Sequence, residues 1–264
     1  MSDSAKSPRA ENAPRIVTAC VVLIGDEILS GRTRDANLAY IANHLNRIGI
    51  QVREARVIPD IEETIVAVVN EVRARHDYVF TTGGIGPTHD DITADAIARA
   101  FGVGIGPDPR AIAILEAHYK STGGEFTEAR KRMARIPLGA ELIENPVSKA
   151  PGFQMGNVFV MAGVPMVMQT MLDSLTGRLE GGATMLSRTV SGQIGEGTIA
   201  EALGAIQKRH PDVVIGSYPY YRGKVFGTSL VMRGTDAALL EEVAGEIAAM
   251  IRSFGVEPVE GEPV

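Results

Sequence analysis

The sequence of 264 residues contains no tryptophan and one cysteine, and aromatic residues make up only 5% of it. A single cysteine excludes an intrachain disulfide. Because Cys20 lies within an apolar run, we expect its side chain to be small, buried and structural. Disulfides are rare in reducing compartments, so this cysteine content suits the cytoplasm, where we expect the protein to reside.

The sequence also lacks an excess of positive charge and any hydrophobic run long enough to cross a membrane. Its formal net charge is -6 at pH 7 and its basic residues are scattered, which disfavours a nucleic-acid partner. No apolar segment precedes Ile16, so neither an export signal nor a membrane partner is expected. With 45% hydrophobic residues, a chain of this length can bury a sizeable core and is predicted to form two domains.

A glycine-rich segment, Thr81–Thr93, is the most informative part of the sequence. It follows an apolar stretch typical of a buried strand and precedes residues 94–101, which have helical spacing. Three glycines within four residues let the backbone approach a ligand, so that N–H groups and the helix N-terminus can receive phosphate oxygens. The residues expected to form this site are Thr82, Gly83, Gly84, Gly86, Pro87 and Thr88.

Two adjacent carboxylates, Asp90 and Asp91, follow the glycines. They would repel a phosphate unless a divalent cation lay between them, so both are predicted to be metal ligands. A capped helix is the alternative, because acidic residues in a first turn favour the helix dipole and Gly-Gly with proline is ordinary turn chemistry. The dinucleotide fingerprint and the P-loop are excluded, since the third glycine of the one and the Gly-Lys-Ser/Thr ending of the other are missing.

Strand and helix patterns alternate before the glycine segment. Strands are predicted at residues 16–24, 51–58 and from Asp77, and helices at 38–48 and 61–75. This order predicts a doubly wound, mostly parallel sheet, in which ligands bind at the carboxyl ends of the strands. The residues expected to share that crevice are Gly25, Asp26 and Glu27 after the first strand and Asp60 after the second, and Asn37 is expected to hold the neighbouring loop.

The remainder of the chain is predicted to complete this domain and to add a second. Helices are expected at Pro107–Tyr119, at Thr127–Arg135 and after Pro165, and a hairpin around Gly156-Asn157. Residues 179–182 are expected to be a linker. The predicted division is a disordered tail at 1–13, an α/β domain at 14–178, a small α+β domain at 183–255 and a second tail at 256–264.

Four motifs resemble those of the molybdopterin-binding domain family of the MoaB/Mog-like type. They are Gly25–Gly31 (GDEILSG), Asp35-x-Asn37, Pro59-Asp60 and Gly83–Thr93 (GGIGPTHDDIT). The resemblance is strongest to CinA-type members and to the N-terminal domain of eukaryotic FAD synthase. It implies a three-layer α/β sandwich with its ligand at the strand ends, assembled into homo-oligomers. It extends through Asn145-Pro146-Val147, Ala150–Phe153 and Gly163-Val164-Pro165.

The resemblance also implies an activity and its residues. Molybdenum-cofactor members of the family bind molybdopterin or transfer an adenylyl group to it, and their acidic positions resemble Asp60 and Asp91, which we therefore expect to be catalytic. CinA-type members resemble hydrolases of a nucleotide pyrophosphate such as ADP-ribose, and the FAD synthase domain resembles an FAD hydrolase. Both chemistries imply a divalent metal, here Mg²⁺, Mn²⁺ or Co²⁺, and a nucleotide or pterin ligand.

One difference from the family favours hydrolysis. Molybdopterin adenylyltransferases usually carry Arg-Asp where this sequence has Asp90-Asp91, so a phosphate clamp is lost and a metal ligand is gained. We therefore predict a metal-dependent nucleotide pyrophosphatase of the ADP-ribose or FAD type. Binding of molybdopterin, or adenylyl transfer to it, is the first alternative, and a non-catalytic nucleotide-sensing module is the second.

Overall fold

The computed structural model describes residues 15–223 and 225–261, and the chain forms two compact units, Met1–Ala183 and Thr184–Val264. The tail predicted at 1–13 lies outside the described residues. The linker predicted at 179–182 is packed against the first unit. There the Glu180 N–H donates to the Tyr78 hydroxyl at 3.0 Å, and the Gly182 N–H donates to the Gly49 carbonyl at 3.0 Å.

The first unit alternates strands and helices. Its strands are β1 (Val17–Ile24), β2 (Ile50–Ile58), β3 (Tyr78–Thr82), β4 (Ile105–Pro107), β5 (Arg135–Pro137), β6 (Glu141–Ile143), β7 (Gly152–Met155) and β8 (Val158–Met161). Its helices are α1 (Asp26–Leu29), α2 (Asn37–Arg47), α3 (Glu62–Arg73), α4 (Thr93–Phe101), α5 (Pro109–Thr122), α6 (Glu128–Lys131) and α7 (Pro165–Leu175).

Six of the described strands form one sheet in the order β2-β1-β3-β8-β7-β6. β1 pairs in parallel with β2 and β3, and β3 pairs in parallel with β8. β7 runs antiparallel to both β8 and β6, and the predicted hairpin around Gly156-Asn157 is the β7–β8 turn. The predicted mostly parallel sheet is confirmed, with an antiparallel edge.

Both faces of this sheet are covered by helices, as the side chains of β1 illustrate. The first core lies on one face of the sheet and contains side chains of α3, α4 and α5. The second core lies on the other face and contains side chains of α2 and α7. The sheet is thus the middle of three layers, as predicted. Alternate residues of β1 point to opposite faces, with Cys20, Val22 and Ile24 in the first core and Val17, Ala19, Val21 and Leu23 in the second.

Helix α5 starts two residues later than predicted. Pro107 belongs to β4 instead, and Asp108 caps the helix, because its carboxylate accepts the N–H groups of Arg110 at 2.8 Å and Ala111 at 3.3 Å. Pro109 then occupies the first helical turn, where the missing N–H of proline carries no penalty.

The helix predicted at Thr127–Arg135 is mostly replaced by other structure. Only Glu128–Lys131 is α-helical, and a 3₁₀ turn at Arg132–Ala134 leads into β5, which pairs antiparallel with β4. Proline at position 137 disfavours a helical conformation in the residue before it, which helps to end the helical run.

The second unit is a small α+β domain. It consists of β9 (Leu186–Gly192), α8 (Glu196–Arg209), β10 (Val214–Arg222), β11 (Val225–Gly234), α9 (Ala237–Ser253) and β12 (Val259–Glu260). Its antiparallel sheet has the order β10-β11-β9-β12, and α8 and α9 share one apolar core with it. No helix in the described parts of the two units is long and apolar enough to cross a membrane.

The C-terminal segment differs from the tail predicted at 256–264. β12 adds an edge strand to the sheet, with Val259 opposite Ser191 and Glu260 opposite Val190. The Gly261 carbonyl also accepts the Ser191 hydroxyl at 2.7 Å. A two-residue strand has no periodicity of its own, so the backbone pairing that orders it leaves no pattern in the sequence. Residues 262–264 lie outside the described residues.

Candidate functional site

A cleft of about 550 Å³ opens at the carboxyl ends of the parallel strands. Each wall is a segment that directly follows a strand or ends it: Ile24 ends β1, Asp60 follows β2, Gly83–Gly86 follows β3 and Ala162–Pro165 follows β8. Because ligands bind at this edge in open α/β sheets, the cleft is the strongest candidate for the functional site.

The cleft gathers part of the predicted site. The predicted residues that line it are Glu27, Asp60, Gly83, Gly84, Gly86, Asp90 and Asp91. The predicted residues that do not line it are Gly25, Asp26, Asn37, Thr82, Pro87 and Thr88. Sequence reasoning missed other lining residues, among them Thr33, Met133, Asn145, Ser148 and Val164. Asn145 and Val164 belong to motifs that carried the family resemblance, which was a signal for them.

The glycine segment runs so close to its neighbours that side chains are excluded. Gly83 and Gly84 have positive φ angles of 104° and 65°. A Cβ atom at Gly83 would overlap the carbonyl oxygen of Ile24, and one at Gly84 would overlap the hydroxyl of Thr93. The Thr93 N–H donates to the Gly84 carbonyl at 3.0 Å, which ties the segment to the start of α4. The Gly83 N–H donates to the Met161 carbonyl at 3.1 Å, so within this segment the N–H groups of Gly84–Gly86 are the candidates for binding a ligand.

Asp60 is a half-buried carboxylate of the cleft, as is Asp91. It accepts the backbone N–H of Asp26 at 3.0 Å, so Asp26 contributes its peptide group to this contact. Burial raises the pKa of the Asp60 carboxyl above its ordinary value, and the negative charges of Glu27, Asp26 and Asp90 raise it further, against the Asp26 hydrogen bond. Asp60 is thus closer to accepting a proton near neutral pH than an exposed aspartate would be.

Asp91 both lines the cleft and braces the loop. Its Oδ2 accepts the Thr88 N–H at 2.8 Å and the Thr88 hydroxyl at 2.5 Å, so Thr88 stabilises the conformation of the loop. Asp90 is exposed, and its pKa is lowered mainly by the nearby Thr88 hydroxyl. This contact within the loop resembles the helix-capping role considered as the alternative for Asp91. It occupies only one carboxylate oxygen of Asp91, and the side chain still lines the cleft.

Three of the remaining predicted residues support the cleft from outside. The buried Asn37 amide donates to the Gly163 carbonyl at 2.8 Å and so holds a segment that lines the cleft. Thr82 is buried at the end of β3, and the Gly25 N–H donates to the Ile58 carbonyl at 3.1 Å where β1 and β2 end. Pro87 is exposed at the outer part of the glycine loop.

A second loop, Asn145–Ala150, closes another side of the cleft and is organised by one buried side chain. The Asn145 amide donates to the Ser148 hydroxyl at 2.6 Å and to the Ala150 carbonyl at 2.8 Å. Its Oδ1 accepts the N–H groups of Val147 and Ser148, both at 3.1 Å. Lys149 adopts a left-handed conformation, with φ 64°, which is strained for a non-glycine residue, and its N–H donates to the Asn145 carbonyl at 3.1 Å.

The composition of the cleft wall fits a divalent metal. Its charged lining residues are the carboxylates of Glu27, Asp60, Asp90 and Asp91, whose hard oxygen atoms are the donors that Mg²⁺ and Mn²⁺ prefer. A cation would also offset the mutual repulsion that raises the pKa of Asp60. No three of these four carboxylates have oxygen atoms all within 4.8 Å of one another, so in this conformation they do not form a complete coordination sphere.

Family comparisons agree with the division into two units. A family described as "Probable molybdopterin binding domain" matches residues 20–181, and a family described as "FAD synthase, middle domain" matches residues 184–260. The crystal structure of the protein CinA from Thermoplasma acidophilum, described as having unknown function, superposes with a TM-score of 0.56 at 36% identity and covers 61% of this chain and 96% of that chain.

Relatives of similar sequence extend over nearly the whole chain. A CinA-like protein of Citrifermentans bemidjiense is 37% identical over an alignment of 246 residues that covers 89% of this chain and 58% of the relative. A protein of Aeropyrum pernix is 33% identical over an alignment of 265 residues that covers 95% of this chain and 97% of that protein. The chain thus spans little more than half the length of the first relative. It belongs to the molybdopterin-binding domain family, as a CinA-like member.

Proposed function

We propose that this protein is a metal-dependent nucleotide pyrophosphatase that cleaves the phosphoanhydride of an ADP-ribose or FAD type of nucleotide. The observation that carries the proposal is the half-buried Asp60, with its raised pKa, in the same cleft as the glycine backbone of Gly84–Gly86. A phosphate-binding backbone beside a group able to accept a proton is what attack by water on a phosphoanhydride requires. Asp90 in place of the family's arginine supports hydrolysis over adenylyl transfer.

Each group has a defined role in this proposal. The N–H groups of Gly84–Gly86 bind and orient the diphosphate, and Asp60 accepts the proton of the attacking water. The water oxygen forms a bond to one phosphorus as the bridging P–O bond breaks, which gives AMP and ribose 5-phosphate from ADP-ribose. Asp90 and Asp91 would hold the divalent ion, which when bound supplies positive charge to the phosphate oxygens. We place the activity in the cytoplasm and in a homo-oligomer.

Chelation should abolish turnover. ADP-ribose and FAD are incubated separately with the protein and Mg²⁺, Mn²⁺ or Co²⁺, and AMP release is followed by chromatography with and without excess chelator. The melting temperature in chelator is the control, since it separates loss of metal from loss of fold. Undiminished AMP release from protein whose metal content has been measured as negligible would reject the metal and its ligands Asp90 and Asp91.

Binding of molybdopterin, or adenylyl transfer to it, is the second candidate. It is favoured by the family match over residues 20–181. The discriminating experiment supplies ATP with molybdopterin and follows the products. Adenylylated molybdopterin, without AMP release from ADP-ribose or FAD, would replace the hydrolase proposal. Nucleotide binding with neither product would identify a sensing module.

A further inference from the structure

A small chamber lies behind the glycine segment and shares part of its wall with the cleft. Gly84, Ile85, Gly86, Asp91 and Met133 line both spaces. The chamber has a volume of about 20 Å³, which is room for about one water-sized group. A single phosphate oxygen has that size, so the chamber can receive one oxygen of a ligand that lies along the glycine segment.

Two arginines line this chamber, and they differ in the hydrogen bonding of their guanidinium groups. Arg135 donates to both carboxylate oxygens of Asp95, at 3.0 and 2.6 Å, so its charge is paired. Arg132 has a buried Nε–H without a hydrogen-bond acceptor among the described residues. A buried donor that loses its water without gaining an acceptor destabilises the folded state, and such a group calls for an explanation.

The backbone that carries Arg132 is fixed. The residue begins the 3₁₀ turn Arg132–Ala134, and Ala134 is fully buried in the first core. The Ala134 carbonyl accepts the Asp108 N–H at 2.8 Å, which joins this turn to the start of α5. The next residue, Met133, lines both the cleft and the chamber. These contacts fix the backbone of Arg132 beside the glycine segment.

We propose that Arg132 binds a non-bridging oxygen of the diphosphate that the glycine segment holds. The inference rests on the proposed function for its ligand class. It supplies what the cleft lacks, because the charged residues that line the cleft are all acidic. A guanidinium group suits this role because its N–H donors match phosphate geometry and keep their charge at every physiological pH. The diphosphate oxygen would also satisfy the buried Nε–H.

The test compares Arg132→Met with the wild-type chain. Methionine keeps an apolar stem of similar length and removes the buried donor. Binding of α,β-methylene-ADP, a diphosphate that cannot be hydrolysed, is measured by calorimetry with Mg²⁺, and adenosine serves as the ligand without phosphate. We expect affinity for the diphosphate to fall about tenfold to a hundredfold, because a hydrogen bond to a charged group is lost. Affinity for adenosine and the melting temperature should not fall.

Arg130→Met is the matched control. It removes the same charge from the same segment, but the Arg130 guanidinium is already engaged by the Glu125 carbonyl and stacks 4.3 Å above the Tyr119 ring. It should leave diphosphate affinity unchanged while lowering the melting temperature. The proposal would be overturned if both variants lost the same affinity for the diphosphate, or if the wild type did not bind it. It would also be overturned if Arg132→Met kept its affinity, whether or not its melting temperature fell.

These measurements involve no turnover, so they separate this inference from the proposed activity. Arg132-dependent binding without AMP release from any nucleotide would retain the inference and reject the pyrophosphatase. AMP release with Arg132-independent binding would do the reverse.

Discussion

Gly83→Ala should destabilise the first unit by about 4 kcal/mol or more, the range reached when a substitution both strains the backbone and forces atoms to overlap. Gly83 has a φ angle of 104°, which L residues other than glycine rarely adopt, and a Cβ there would overlap the backbone carbonyl of Ile24 at the end of β1. A carbonyl in a strand cannot rotate away as a side chain can. Urea unfolding followed by circular dichroism measures the loss.

Gly31→Ala is the control for this prediction. Gly31 also has a positive φ angle, 72°, but a Cβ there meets nothing within 4 Å. The control therefore isolates the conformational cost, which is about 1 to 2 kcal/mol for an L residue in the left-handed region. Similar losses in the two variants would show that the glycine segment is not as closely packed on β1 as the structure has it.

Asp60→Asn should lower turnover by about a hundredfold to ten-thousandfold, the contribution of a positioned general base. The asparagine keeps an oxygen that can accept the Asp26 N–H, so the loop should keep its shape. Steady-state rates of AMP release from ADP-ribose measure the effect. Turnover close to the wild-type value would remove Asp60 from the chemistry.

The same variant should be more stable than the wild type at neutral pH. Because the pKa of Asp60 is raised in the folded state, its ionised form costs stability at pH values above that folded pKa. The cost fades as the pH falls through the folded pKa and is lost below the ordinary value of 3.8, where the carboxyl is protonated in both states. The advantage of Asp60→Asn should therefore be largest near neutrality and shrink towards acid, as melting temperatures across this range would show.

Asp108→Asn provides a control of the opposite sign. The pKa of Asp108 is lowered, chiefly by its hydrogen bond from Arg110, so its ionised form stabilises the fold at neutral pH. Its replacement should lower the melting temperature and leave turnover unchanged, because Asp108 caps α5 outside the cleft wall. If both aspartate variants were destabilised alike near neutrality, the raised pKa of Asp60 would be contradicted.

Local patterns were sufficient to predict the layers of the first unit. The continuous apolar run at Val17–Ile24 indicates a strand buried on both faces, and α2 and α3 carry apolar residues at helical spacing. The short strands could not be predicted, because β4, β5 and β6 have three residues each and depend on partners elsewhere in the chain. Arg135 illustrates this, since it ends the predicted helix at Thr127–Arg135 but pairs with Pro107 of β4.

The candidate site divides in the same way. The acidic residue after β2 and the glycines after β3 could be predicted because the position of a strand end follows from the strand itself. The hydrogen bonding of Asn145 and Arg132 could not be predicted, although Asn145 belongs to a motif of the family resemblance, because it depends on the surroundings that folding creates. The sequence does not show that the buried Asn145 side chain makes four hydrogen bonds, or that the Arg132 Nε–H makes none among the described residues.

The burial of Cys20 has a practical consequence for following the first unit in solution. Its side chain has no solvent exposure, and its strand pairs with β2 on one side and β3 on the other. Burial, with a smaller contribution from the charge of Glu54, raises the pKa of the thiol to about 12, so little reactive thiolate exists while the sheet is closed. The rate at which an alkylating reagent labels this single thiol therefore reports how often β1 separates from its neighbours, with no introduced probe.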